Sequence, residues 1–321
     1  MKAFVYSSYG NPDVLKWQDV PRPEIGPREL LIRIQAAAVN DYDWAMVSGK
    51  PGIYRLFFGL FRPRHPTPGM ELAGTVEEAG AQVELLQKGD KVYGDLSDHG
   101  FGAYAEFICV NERAVRRMPA AMSFIQAAAI PHASLLAYQG LVELGRLHHG
   151  ERLLINGAGG GVGTFGLQIA KEIGAHVTGV DSGPKLKAMM DLGFDEVIDY
   201  KIDDFSKNGQ SYDLILDCKT TRSPFTHARS LNPGGRYVTV GGTVRGLLST
   251  LFLGWMVSLF NGKSQRILAL RANQGLEIIE ELFAKGKIRP VIDGPHPMQE
   301  AARQLRRFGA GEHSGKIVLE N

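Results

Sequence analysis

Through the first third of the chain the apolar residues fall in short runs of β-forming type, at 2–6, 29–38, 71–78, 90–94 and 103–110. Runs of that length, bounded by Gly and Pro, predict the strands of a compact β-rich domain. Pro21, Pro23 and Pro27, and later Pro63, Pro66, Pro68 and Gly69, predict extended loops between strands. From about residue 123 the pattern turns helical. Ser123 with Gln126 three positions on is a helix-start signature, and 123–130 and 135–143 read as consecutive helices.

Strands and helices then alternate. An apolar strand ends near Ile155, a helix covers 165–173, and a strand covers 176–180. After these come a helix at 185–192, strands at 196–198 and 214–217, a helix at 225–230, a turn at 232–235 and a strand at 236–240. This order predicts an α/β protein with a doubly wound parallel sheet. Residues 273–284 form an amphipathic helix, with Leu276, Ile279 and Phe283 on one face and Glu277, Glu280 and Glu281 between them. The final strand, 315–320, predicts a tail that rejoins the first domain.

One stretch fits neither period: residues 247–260 are almost continuously apolar. A helix needs about 20 such residues to cross a bilayer, so this one is too short. A buried or dimer-packed helix, a lid over an apolar substrate pocket, and contact with a membrane surface all remain open for it.

Composition narrows the classes. A length of 321 residues suits two domains, and 44% hydrophobic content is that of a globular protein. A net charge of +2 gives no reason to expect nucleic acid as a partner. Two cysteines, Cys109 and Cys218, build neither a disulfide scaffold nor a four-cysteine zinc lobe. The first residues lack the apolar core of a signal peptide, and a cytoplasmic location is expected.

The chemistry is carried by the segment after Ile155, where Gly157, Gly159, Gly160, Gly161 and Gly163 lead into a helix. Glycines there let the backbone turn tightly and approach a diphosphate, while the helix presents free N–H groups to the anion. Asp181 follows Gly163 by eighteen positions at the end of the next strand, close to where an acid meets the adenosine ribose. Gly159, Gly160, Gly161, Val162, Gly163 and Asp181 are therefore candidate dinucleotide-binding residues.

Seven motifs in order carry a resemblance over nearly the whole chain. They are Ala37–Asp43 (AAVNDYD), Pro68–Val76 (PGMELAGTV), Lys88–Gly94 (KGDKVYG), Gly102–Glu106 (GAYAE), Ala137–Gly140 (AYQG), the glycine loop, and Gly315–Val318 (GKIV). The sequence resembles the medium-chain dehydrogenase/reductase superfamily, in its zinc-independent quinone oxidoreductase and enone reductase branch. The resemblance implies a Rossmann domain, 123–264, inserted in a discontinuous GroES-like catalytic domain, 1–122 and 265–321, with the nicotinamide of NAD(P)H held in the cleft between them. It also implies a homodimer.

In the zinc alcohol dehydrogenases of that superfamily a metal-binding cysteine stands where this chain has Asn40, a histidine where it has Met70, and a third ligand near His132. Only Glu71 and His132, with Asp41 as a doubtful third, remain as ligands, so no zinc is expected. Without a Lewis acid, a small apolar quinone or enone is the expected substrate, since its conjugation spreads the developing charge. By resemblance, Asn40 and Asp43 look toward the nicotinamide, Tyr42 or Tyr54 supplies a hydrogen bond or proton, and Gly241 and Gly242 approach the nicotinamide half. Local hydrogen bonding for Asn40 and Asp43, and plain packing for both tyrosines, are the alternatives. Asp181 favours NAD(H), whereas Ser182, Lys185 and Tyr200 resemble positions that grip the 2′-phosphate of NADPH; the balance tilts to NAD(H). Two other functions stay open: an alcohol or aldehyde oxidoreductase, and a catalytically weak nucleotide-binding interaction protein.

Overall fold

A computed structural model describes residues 1–321, residue 261 by its backbone alone. The chain divides into two compact units, the first from Met1–His132, Ala272–Leu276 and Ile292–Asn321, the second from Ala133–Arg271 and Glu277–Val291.

The first unit is built on a mainly antiparallel sheet. Strands Glu29–Ala38, Glu71–Ala79 and Lys91–Asp95 form its centre, and Lys316–Glu320 pairs antiparallel with the other edge of Glu29–Ala38, Val318 lying opposite Ala38. Alternating side chains of these strands, among them Leu30, Ile32, Ile34, Leu72, Val76, Ile317 and Leu319, enter one buried core with Phe4 and Tyr104. The run at 103–110 is a strand only over Phe107–Asn111; Ala105 makes an isolated bridge to Ala3.

The second unit carries six parallel strands. From one edge they are Glu196–Asp199, His176–Asp181, Arg152–Asn156, Tyr212–Asp217, Leu231–Thr239 and Ser264–Ile267. The chain winds outward from Arg152–Asn156 in one direction and then from Tyr212–Asp217 in the other. Ligands bind such sheets at the carboxyl ends of the two strands flanking that reversal.

Several expected boundaries move. The helix Phe124–Ala128, capped by Ser123 as expected, packs on Glu29–Ala38 and Glu71–Ala79, so the first crossing between units falls after His132 rather than after 122. The tail rejoins the first unit lastingly at Ile292 rather than at 265. Residues 277–291 stay with the second unit, where Gln168 and Arg289 bond reciprocally (2.7 and 2.9 Å) and Lys287 pairs with Glu172 at 3.1 Å. The turn at 232–235 is absorbed into Leu231–Thr239, whose pairing with Tyr212–Asp217 shifts register there. The helix at 273 starts at Leu276 instead, because Asn273 has a left-handed φ of 60° and spends its side chain on Asp95.

The apolar stretch forms the helix Val244–Asn261, but most of it is not buried. Leu248, Leu251, Phe252, Trp255, Leu259 and Phe260 are exposed, while Val257 and Thr250 face inward. No helix among the described residues is long and apolar enough to cross a membrane.

Candidate active site

In the second unit the strand Arg152–Asn156 runs into Gly157, which adopts φ 89°, and the helix Gly161–Ile173 begins four residues later. Thr164 N–H makes the first helical bond, to Gly160 O at 3.0 Å. The amides of Gly161, Val162 and Gly163 precede it and point out of the helix end, the arrangement that receives a diphosphate. A Cβ on Gly163 would fall inside contact distance of the Ala158 backbone, so the close approach of helix and strand requires glycine. Gly159 is hemmed in by Lys185 and Asp181; a Cβ there would lie 2.8 Å from Lys185 Cδ.

Asp181 ends the strand His176–Asp181, as expected, but its carboxylate is engaged. Oδ2 accepts Gly159 N–H at 2.9 Å, Oδ1 accepts Ser182 N–H at 2.8 Å, and Lys185 Nζ stands 3.4 Å from Oδ1. Ser182 precedes the helix Gly183–Leu192, and Tyr200 is exposed. Gly242 has φ 126° and would strike the Lys219 backbone with any side chain; Gly241 has room, its Cβ position being 3.9 Å from Cys218 O. Cys218 itself is half-buried. At the sheet reversal Asn156 donates to Asp217 at 2.8 Å, and Asp217 also accepts the Tyr237 hydroxyl at 2.9 Å.

In the first unit Asn40 and Asp43 open the helix Asp41–Ser48. Asp43 has no exposed surface: it accepts Asn40 N–H and Gly69 N–H, both at 2.9 Å, and the Tyr104 hydroxyl at 3.2 Å. Burial pushes its carboxyl up to about 7 despite these donors. Through these bonds it ties the helix start to the loop at Gly69 and to Tyr104. Asn40 Nδ2 donates to Glu71 Oε2 at 2.8 Å, and its Oδ1 accepts from the Lys316 ammonium. Lys316 also pairs with Glu71 at 2.6 Å, and the other Glu71 oxygen accepts His132 N–H at 2.5 Å.

His132 Nδ1 lies 2.8 Å from buried Asp95, and Nε2 lies 3.5 Å from Asp41. Beside the imidazole stands an aromatic wall. Tyr42 is 6.1 Å from the His132 ring and edge-on to both Tyr54 and Phe58; Tyr54 stacks on Phe58 at 5.9 Å, and Phe58 meets Phe101 at 5.6 Å. The structure thus brings Tyr42 and Tyr54 together. Burial, reinforced by the Asp41 carboxylate, pushes the Tyr42 phenol up to about 12, so it is a neutral donor at physiological pH.

Residues 26–120 match the alcohol dehydrogenase GroES-like domain, and 192–319 match the zinc-binding dehydrogenase domain. A chloroplastic quinone-oxidoreductase homologue of Spinacia oleracea is 32% identical, over 100% of this chain and 98% of its own. The 2-methylene-furan-3-one reductase of Solanum lycopersicum is 31% identical, over 99% of this chain and 79% of its own. The chain belongs to the medium-chain dehydrogenase/reductase superfamily. Within it, the chain stands in the zinc-independent quinone and enone reductase branch. The quinone oxidoreductase of Coxiella burnetii superposes with a TM-score of 0.88 at 27% identity, covering 100% of this chain and 99% of that one.

The donor set does not fit the zinc carried by other members of the superfamily. An amide at Asn40 and a thioether at Met70 replace thiolate and imidazole, both Glu71 oxygens are spent, and both ring nitrogens of His132 face carboxylates. The Lys316 ammonium supplies the positive charge that balances Glu71. Sequence reading placed Lys316 in a motif but missed its role; a lysine directly before the apolar run Ile317, Val318 and Leu319 was the available signal.

Burial alone would push the His132 imidazole down, but Asp95 and Asp41 outweigh it and lift it to about 10. An unfolded imidazole titrates near about 6.5. The folded chain therefore holds an extra proton between those values, and the stability it contributes is full below about pH 6.5 and lost as pH rises through about 10. Asp43 loses its own such contribution as pH rises through about 7, in parent and His132 variant alike. The unfolding midpoint is expected to fall between about pH 7 and pH 10 more steeply in the parent than in His132→Gln. Equal slopes in scanning calorimetry would refute the shifted imidazole.

Proposed function

We propose that the chain transfers a hydride from a reduced nicotinamide dinucleotide to a quinone or an α,β-unsaturated carbonyl compound. The observation that carries this reading is the Lys316–Glu71–Asn40 network, in which the amide that stands where zinc members of the superfamily have a cysteine ligand is bonded to both halves of a buried ion pair. No Lewis acid fits there to polarise a carbonyl. A conjugated acceptor manages without one, because hydride adds at carbon while charge develops on a distant oxygen. The names of the tomato, spinach and Coxiella relatives agree with this.

When bound, the cofactor supplies the hydride. The chain's own part is positional. The amides of Gly161, Val162 and Gly163 hold the diphosphate, and Asp181 with Lys185 meets the adenosine ribose. Asp181 favours NAD(H); the Lys185 ammonium narrows that preference by giving a 2′-phosphate a partner. On the acceptor side, Tyr42, Tyr54, Phe58 and Phe101 offer flat apolar surface to a small ring, and a neutral tyrosine hydroxyl donates to the developing oxyanion. Solvent or that tyrosine delivers the proton that completes the two-electron reduction.

The active species proposed is a cytoplasmic homodimer. Ser264–Ile267 has a sheet neighbour on one side only, and the adjoining helix Val244–Asn261 exposes Leu251, Trp255 and Leu259, a combination that a second copy would cover.

The test is the initial rate of NADH and NADPH oxidation by chelator-treated protein against quinones, enones, enals and saturated aldehydes, with sedimentation velocity on the same preparation. Turnover of conjugated acceptors alone, by a dimer, is expected. Lys185→Met should lower kcat/KM for NADPH about tenfold relative to NADH, through loss of a charge-assisted bond. Equal turnover of saturated aldehydes, or loss of activity on chelation, would overturn the assignment.

A further inference from the structure

The helix Asp41–Ser48 ends at Gly49 in the left-handed conformation, and the chain then makes a 3-10 turn, Gly52–Tyr54, and a single helical turn, Arg55–Phe58. This segment has two faces. Tyr54 and Phe58 turn inward onto Tyr42 and Phe101. Leu56, Phe57, Leu60 and Phe61 turn outward, and Phe57 and Phe61 are 67% and 88% exposed.

The outward face is held rather than loose. Gly59 has φ 119°, and a side chain there would strike Arg62 O; Arg64 N–H donates to Phe58 O at 2.7 Å, and the Tyr9 hydroxyl donates to Gly59 O. Four large apolar side chains kept in water at a fixed turn are costly to solvate unless something covers them.

The charge around them says what that is. No Asp or Glu occurs between Asp43 and Glu71, whereas Lys50, Arg55, Arg62 and Arg64 do. Lys50, Arg62 and Arg64 are exposed, and Arg55 lies over the Tyr9 ring at 4.7 Å. Exposed apolar side chains at a turn, with cations and no carboxylate in the same stretch of chain, match the interface of an anionic bilayer: acyl chains receive the apolar face and headgroup phosphates receive the cations. We propose that residues 50–64 dock the protein on an anionic lipid surface, with Phe57 and Phe61 entering the headgroup boundary and Arg62 and Arg64 pairing with lipid phosphate.

The test is co-sedimentation of the full chain with vesicles of phosphatidylcholine alone and of phosphatidylcholine with phosphatidylserine. Binding to the anionic vesicles only, weakened by high salt, is expected. Phe57→Ser with Phe61→Ser, and separately Arg62→Ser with Arg64→Ser, should each lower the partition coefficient about tenfold or more, an arginine near such a surface being worth about fivefold. The variant Leu251→Ser with Leu259→Ser, on the other exposed apolar helix, should bind vesicles like the parent. Unchanged thermal midpoints and nucleotide affinity certify that each variant is folded. The proposal is overturned if anionic vesicles retain nothing, if retention follows the 251/259 pair instead, or if the 57/61 pair abolishes self-association and leaves vesicle binding intact.

Discussion

Replacing Lys316 by methionine is expected to destabilise the chain by about 3–5 kcal/mol, the cost of leaving a buried carboxylate without its counter-charge. Glu71 has no exposed surface and keeps two neutral donors, Asn40 Nδ2 at 2.8 Å and His132 N–H at 2.5 Å, once the ammonium is gone. Two neutral hydrogen bonds do not offset the desolvation of a full charge. For a chain of this length the fall in unfolding midpoint should be on the order of 10 °C. Lys316→Met with Glu71→Gln removes both charges and should regain much of the loss, which a thermodynamic cycle by calorimetry measures directly. If the single variant unfolds within about 1 kcal/mol of the parent, Glu71 is not held as an anion by Lys316 and the account of this network fails.

Replacing Gly163 by alanine is expected to weaken dinucleotide binding by about ten- to a hundredfold. The added methyl would overlap the carbonyl oxygen, Cα and carbonyl carbon of Ala158, all backbone atoms of the loop that presents the diphosphate amides. A side chain can swing aside; this backbone can move only by spreading the loop from the helix. Overpacking of that kind costs about 1–3 kcal/mol, and because the strain sits in the binding loop most of it should appear as lost affinity, tenfold per about 1.4 kcal/mol. Titration of reduced-nicotinamide fluorescence reads the change. Gly193→Ala, at a left-handed position with open space around it, is the comparison: any loss there is backbone strain remote from the loop. Affinity unchanged in Gly163→Ala would mean that the diphosphate is not held at this helix end.

What the sequence revealed follows from how local each signal is. The strands Glu29–Ala38 and Arg152–Asn156, the glycine loop and the Ser123 cap were legible because period and cap chemistry lie within a few neighbouring residues. The helix Val244–Asn261 was legible as a helix but not as a surface, since a nearly unbroken apolar run carries no phase to say which side faces water. Asn232–Gly235 looked like a turn because Pro and Gly dominate it, yet neighbouring strands took it into the sheet as an irregularity. At the candidate site, Tyr42 and Tyr54 were named as alternative donors, and the fold sets their rings 6.2 Å apart. The engagement of Asp181, the interior position of Asp43 and the role of Lys316 all depend on partners brought in by the fold, in the last case from 276 residues along the chain.

The register that sets Val318 opposite Ala38 also orders events during synthesis. On the ribosome, all six strands of the second unit have been made once Ile267 has emerged, whereas in the first unit the edge of Glu29–Ala38, paired over Glu29–Arg33 by Phe107–Asn111, stays open at Ala36–Ala38 until residues 316–320 arrive. The part made first is thus completed last. Through that interval Ala36, Ala37 and Ala38 present an open backbone edge to the cell, and it is there, rather than at the nucleotide fold, that a nascent chain of this protein depends on chaperone cover.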